Sequence, residues 1–198
     1  MTRYTESVRT SLRDRVLDAA YGLVADAGWA GLRMAHVAER AGVSRQTCYT
    51  EFGSKDALGQ ALVMREVDRF LDGIREVLDG HGADLRAGVT AGIEFTLRTA
   101  ADNELLKAVI TSQRGGDGEL IAHLTTRSEP LLDTATAMLG AYAAHAWPEV
   151  DDYSRELAVE CVVRLTVSNI VQPVDSPERT AERIARIVTR VALLPDRE

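Results

Sequence analysis

Between Ser44 and Lys55 the chain concentrates side chains suited to reading the edges of nucleic-acid bases. Arg45, Gln46, Tyr49 and Thr50 are spaced i, i+1, i+4 and i+5, so a helix carries all four on one side. A guanidinium donates two parallel hydrogen bonds to guanine O6 and N7, and a carboxamide pairs with adenine N6 and N7. No comparable set supports catalysis. There is no nucleophile–base pair, and no GxGxxG or GxxxxGK[ST] loop. His36, His81, His123 and His145 are scattered, with no HxxxH and no cysteine at metal-ligand spacing. Cys48 and Cys161 read as small core hydrophobes, and two cysteines make no disulfide framework. Gly115–Gly118, GGDG, reads as a loop between helices. Neither an enzyme nor a metal or cofactor protein is expected.

Those four side chains need a frame, and Met34–Phe52, MAHVAERAGVSRQTCYTEF, supplies one. A helix-turn-helix requires a small residue where its two helices approach, and Ala38 is that residue. Four residues later Gly42 offers the positive φ of a tight turn. Val37, Ala41, Val43 and Cys48 have the spacing to lock the helices together. Ser44 is placed to cap the second helix. The expected helices are 34–41 and 45–51. They are preceded by one from Ser7 to Ala27, ended by Gly28, and followed by one from Ser54 to Leu78.

The sequence AxxAG-VSxxTxYxxF-xSKxxL is carried here by Ala38, Ala41, Gly42, Val43, Ser44, Thr47, Tyr49, Phe52, Ser54, Lys55 and Leu58. With the lead-in Ala27-Gly28-Trp29 and Leu32, it resembles the tetracycline-repressor (TetR) family of bacterial transcriptional regulators over residues 10–62. The resemblance implies a dimeric, ligand-responsive repressor that binds a palindromic double-stranded DNA operator. It assigns phosphate contacts to Tyr49 and Lys55 and groove-facing roles to Arg45, Gln46, Tyr49 and Thr50. Ser44 and Thr47 complete the DNA-facing set, Thr47 toward a phosphate or a thymine methyl. Three positions depart from the family pattern. Gln46 replaces a small residue, Cys48 replaces an aliphatic one, and Arg33 stands where Ser or Thr commonly caps. Arg33 weakens that cap and offers a further phosphate contact.

The remaining chain is long enough for a second body. The 198 residues carry 23 Lys/Arg against 30 Asp/Glu, but residues 1–58 hold eight against seven, so the acidity belongs to the rest. Low aromatic content and unbroken helical periodicity predict an all-α protein. A helix-turn-helix domain over 1–53 would precede a ligand-binding and dimerisation bundle over 54–198. Further helices are expected near 84–100, 103–112, 118–124, 128–145, 153–171 and 176–193. The last two carry the apolar stripes expected to pair with their copies in a homodimer. Phe70, Ile74, Phe95, Ile110, Met138, Tyr142 and Val163 are apolar candidates for a ligand pocket. Gln113, His123 and Arg127 are polar ones. The expected effector is hydrophobic, with or without an acidic head. No apolar run reaches membrane-spanning length and no secretory leader is visible, so a cytoplasmic location is expected.

Overall fold

The computed structural model describes residues 2–103 and 129–193. They form eight helices and no strand. In chain order these are α1 (Thr2–Gly31), α2 (Met34–Ala41), α3 (Arg45–Phe52), α4 (Lys55–Asp79), α5 (Leu85–Asp102), α6 (Glu129–Ala146), α7 (Asp152–Val171) and α8 (Pro177–Ala192). The all-α expectation holds. The helices expected near 103–112 and 118–124, the GGDG loop and the Ser128 cap lie outside the described residues.

Most boundaries follow capping chemistry. Asp84, Asp151 and Ser176 each accept the amide N–H three residues on, opening α5, α7 and α8. Pro177 takes the first turn of α8, where its missing N–H costs little. Ser54 Oγ accepts the Ala57 N–H at 3.0 Å at the start of α4. The first helix differs from expectation. It begins at Thr2 and runs to Gly31, yet Gly28 interrupts it with φ 69° and ψ 171°. Gly28 thus breaks the helix as its residue type predicts, and a further turn follows before Leu32.

The described chain divides into two compact units between Glu66 and Val67, inside α4. The expected boundary is 53/54. The first turns of α4 pack within the N-terminal unit. Leu58 and Leu62 are fully buried there. Arg65 donates to the Asp14 carbonyl at 3.2 Å and to Asp18 at 2.8 Å, both on α1. Within this unit α2 packs on α1 and on α3. In the second unit α8 lies against α5 and α7, and α7 also packs on α5 and α6. The buried stripe of α8 is Ile184, Ala185 and Val188. On α4 and α5, Phe70 and Phe95 stack with ring centroids 6.2 Å apart.

Candidate nucleic-acid interface and ligand cavity

The turn between α2 and α3 is built as its residues require. Gly42 adopts φ 67° and ψ 35°, a left-handed conformation. Its N–H reaches the Ala38 and Glu39 carbonyls, and the Val43 N–H donates to Ala38 O at 2.9 Å. These bonds satisfy carbonyls that the helix end leaves open. Ser44 Oγ accepts the Thr47 N–H at 3.0 Å and lies 2.8 Å from Thr47 Oγ1. Thr47 is therefore engaged in the cap and half-buried. Arg33 occupies the N-cap of α2 with no side-chain cap bond and lies exposed.

Beneath α3, Val37, Ala38, Cys48 and Phe52 are buried, Cys48 completely. Burial pushes the Cys48 thiol up from its ordinary pKa, so it stays protonated at neutral pH. Above them Arg45, Gln46, Tyr49 and Thr50 are all exposed, Tyr49 by 45%. The structure thus brings the four predicted base-reading side chains onto one open face.

Several cations in this unit act as struts, which residue spacing does not disclose. Arg13 pairs with Glu51 at 3.1 Å and lies 4.8 Å from the Phe52 ring centroid. Arg40 reaches Asp26 at 2.8 Å, passing so close to Gly22 that a Cβ there would lie 2.8 Å from its guanidinium. Lys55, expected at a phosphate, donates to the Trp29 carbonyl at 2.8 Å, with its ammonium 4.7 Å from the Trp29 ring centroid. The only advance signal was the co-occurrence of Trp29 and Lys55 in one motif, which names neither as the other's partner.

The second unit contains an apolar cavity of about 110 Å³. Of the expected pocket residues, Phe70, Ile74 and Val163 line it. Phe95, Met138 and Tyr142 do not. Phe95 turns toward Phe70 and Gly73, Met138 is buried off the wall, and Tyr142 sits edge-on to Trp147 at 5.7 Å. For Met138 the reason is helical phase. α6 presents Leu132, Ala135 and Leu139 to the cavity, a face from which Met138 is turned away, while Tyr142 shares that face but lies further along the helix, against Trp147. Ile110, Gln113, His123 and Arg127 lie outside the described residues. Sequence reasoning missed Val89, Gly92 and Thr166, all on the wall. They are small or mixed in character and carry no pattern that separates wall from core.

Residues 16–62 match the family described as bacterial regulatory proteins, tetR family. Residues 84–190 match the bacterial tetracyclin repressor C-terminal domain, which spans more than half of the chain. The chain belongs to the TetR family. The HTH-type transcriptional regulator AlkX of Mycobacterium tuberculosis is 31% identical over 189 residues, 96% of this chain and 89% of that protein. Among solved structures, the TetR-family repressor AlkX of a Dietzia strain, implicated in biodegradation of n-alkanes, superposes with a TM-score of 0.66. It is 27% identical, with 90% of this chain and 98% of that one covered. FadR of Bacillus subtilis, solved with stearoyl-CoA, shares the fold at a TM-score of 0.57 and 15% identity, covering 88% of this chain and 96% of that one. As a TetR-family member this protein is a DNA-binding transcriptional regulator and not an enzyme. No described helix is long and apolar enough to cross a membrane.

Proposed function

We propose that this TetR-family regulator is a ligand-responsive, homodimeric repressor. It binds a palindromic operator through α3 and releases it when an apolar effector enters the second unit. The observation that carries the DNA reading is the open α3 face of Arg45, Gln46, Tyr49 and Thr50 above a locked apolar underside. Arg45 and Gln46 read bases. Tyr49 holds phosphate, with Thr47, Arg33 and the amides at the start of α4 beside it. Lys55 contributes a phosphate contact while it remains tied to Trp29. Such a regulator works where the DNA is, in the cytoplasm.

Dimerisation is supported by apolar side chains that the single chain leaves uncovered. Tyr153 and Leu157 on α7 are 68% and 38% exposed, and Ile187 on α8 is 47% exposed. A second copy laid against α7 and α8 removes this surface from water. Control is supported by α4, whose Phe70, Ile74 and Leu78 line the cavity while its first turns pack in the DNA-binding unit. An effector that prefers one arrangement of α4 shifts the equilibrium by its difference in affinity. The wall is nearly all apolar, and the Dietzia relative is implicated in n-alkane degradation. Both favour an aliphatic effector.

The test is footprinting and anisotropy with the purified chain on DNA flanking its own gene. Two protected half-sites about 10 base pairs apart are expected. Affinity should fall steeply between 50 and 200 mM salt, as counterion release demands. Aliphatic compounds should release the DNA. A salt-independent association, or release by lipophilic cations alone, contradicts the reading.

A further inference from the structure

The cavity has a neighbour. A smaller void of about 50 Å³ shares three wall side chains with it, Val89, Leu139 and Val162. The order of wall residues along each helix fixes how the two voids are arranged. On α5, Leu85 lines the smaller void, Val89 both, and Ile93 the larger. On α7 the sequence is Val159, Val162, Thr166 in the same sense, and on α6 it is Ala143, Leu139, Leu132. The two voids therefore lie in series along the bundle, and the three shared side chains form a constriction between them.

The larger void is apolar except for two hydroxyls among its described wall residues, Thr96 and Thr166. Thr96 donates to the Gly92 carbonyl at 2.8 Å. Thr166 is only 6% exposed, and its Oγ1 has no hydrogen-bond partner. Helical threonines usually bond a carbonyl one turn back, so this hydroxyl is free to serve something else. No charged side chain stands on the described wall. In the smaller void Arg155 is already bonded to the Val150 carbonyl at 3.0 Å and to the Asp152 carboxylate. An ionised head in the larger void is desolvated without compensation, whereas a neutral donor–acceptor head there is matched by Thr166.

We infer that the effector is an unbranched aliphatic molecule with one neutral hydrogen-bonding head, bound to Thr166 in the larger void, its tail crossing the Val89–Leu139–Val162 constriction toward Trp147. This rests on the aliphatic-effector reading above. From Thr166 to Ala158 along α7 is about 12 Å, the length of an extended chain of roughly ten carbons. A void of roughly 150 Å³ holds a benzene-sized guest, which is shorter than such a chain. A ten-carbon chain therefore has to part the constriction, which moves α5, α6 and α7 relative to one another.

The test uses the full-length protein and calorimetric or dye-displacement titration with 1-decanol, decane, decanoate at pH 8, and 1-pentanol. Decanol should bind more tightly than decane or decanoate. Thr166→Val should weaken decanol about five- to tenfold, leave decane within about twofold, and leave melting temperature unlowered, because it removes a hydroxyl that has no partner. Val162→Ala should favour decanol over pentanol more than the parent does. Tighter binding of decanoate than decanol overturns the neutral head, as does indifference of decanol to Thr166→Val. An unchanged decanol-to-pentanol ratio in Val162→Ala overturns the threaded tail. If none of the four compounds binds a protein that still binds its DNA, the aliphatic-effector reading itself fails.

Discussion

Arg45 and Tyr49 stand one helical turn apart on the same open face, yet their chemistry predicts different losses. Arg45→Ala should weaken the best operator by about 1–3 kcal/mol and relax preference at one base pair. Tyr49→Ala should weaken specific and random DNA alike, because a phosphate contact carries no sequence information. Anisotropy titrations on operator and scrambled DNA separate the two, and equal losses for Arg45→Ala would remove its base-reading role. Lys55 tests a second point. Its ammonium is bonded to the Trp29 carbonyl and sits over the indole. Lys55→Ala should therefore lower unfolding stability by about 1 kcal/mol in urea, besides any loss of DNA affinity. Unchanged stability would show that the Trp29 contact contributes nothing.

At the scale of elements, the helix starts are where charge and hydrogen bonding meet. The Asp151 carboxylate accepts the Ser154 N–H at 2.8 Å, and bonds from Ser154 hold its pKa below the ordinary carboxylate range. Glu178 is lowered in the same direction, first by a bond from Ser176 and also by Arg98, with which it pairs. A carboxylate whose pKa is depressed by folding adds stability that is fully present above its unfolded pKa and is lost as pH falls through the folded one. The start of α7 and the α5–α8 pairing should therefore weaken as pH drops below about 4. Melting curves of the parent and Asp151→Asn across pH 3–7 check this. The variant should lose less stability on acidification, and parallel curves would contradict the assignment.

At the scale of the whole molecule, the proposed operator reading requires two chains. Leu157 lies on the exposed side of α7, in line with Tyr153 one turn earlier. A carboxylate at that point should be tolerated in a lone chain and rejected in a dry interface. Leu157→Asp should thus shift sedimentation toward the monomer and weaken operator binding, while the helical circular dichroism signal is kept. A dimer that survives this change with unaltered affinity would place the interface elsewhere.

Residue order alone determined the parts whose physics is local. Gly42 has to be glycine because the turn needs positive φ, and Ser44 has to cap because it precedes a helix with open amides. The exposed set on α3 follows from spacing once α3 is a helix, and the start of α8 follows from Ser176 and Pro177. Contacts between residues far apart in the chain were decided only by tertiary structure. Arg65 ties the first turns of α4 to α1. Lys55 turns to Trp29, and Phe95, Met138 and Tyr142 stand off a wall that Val89, Gly92 and Thr166 occupy instead. Helical periodicity says which side of a helix is apolar. It does not say which apolar side chains meet one another and which face a void, because that depends on the rotation and crossing of helices that only packing fixes.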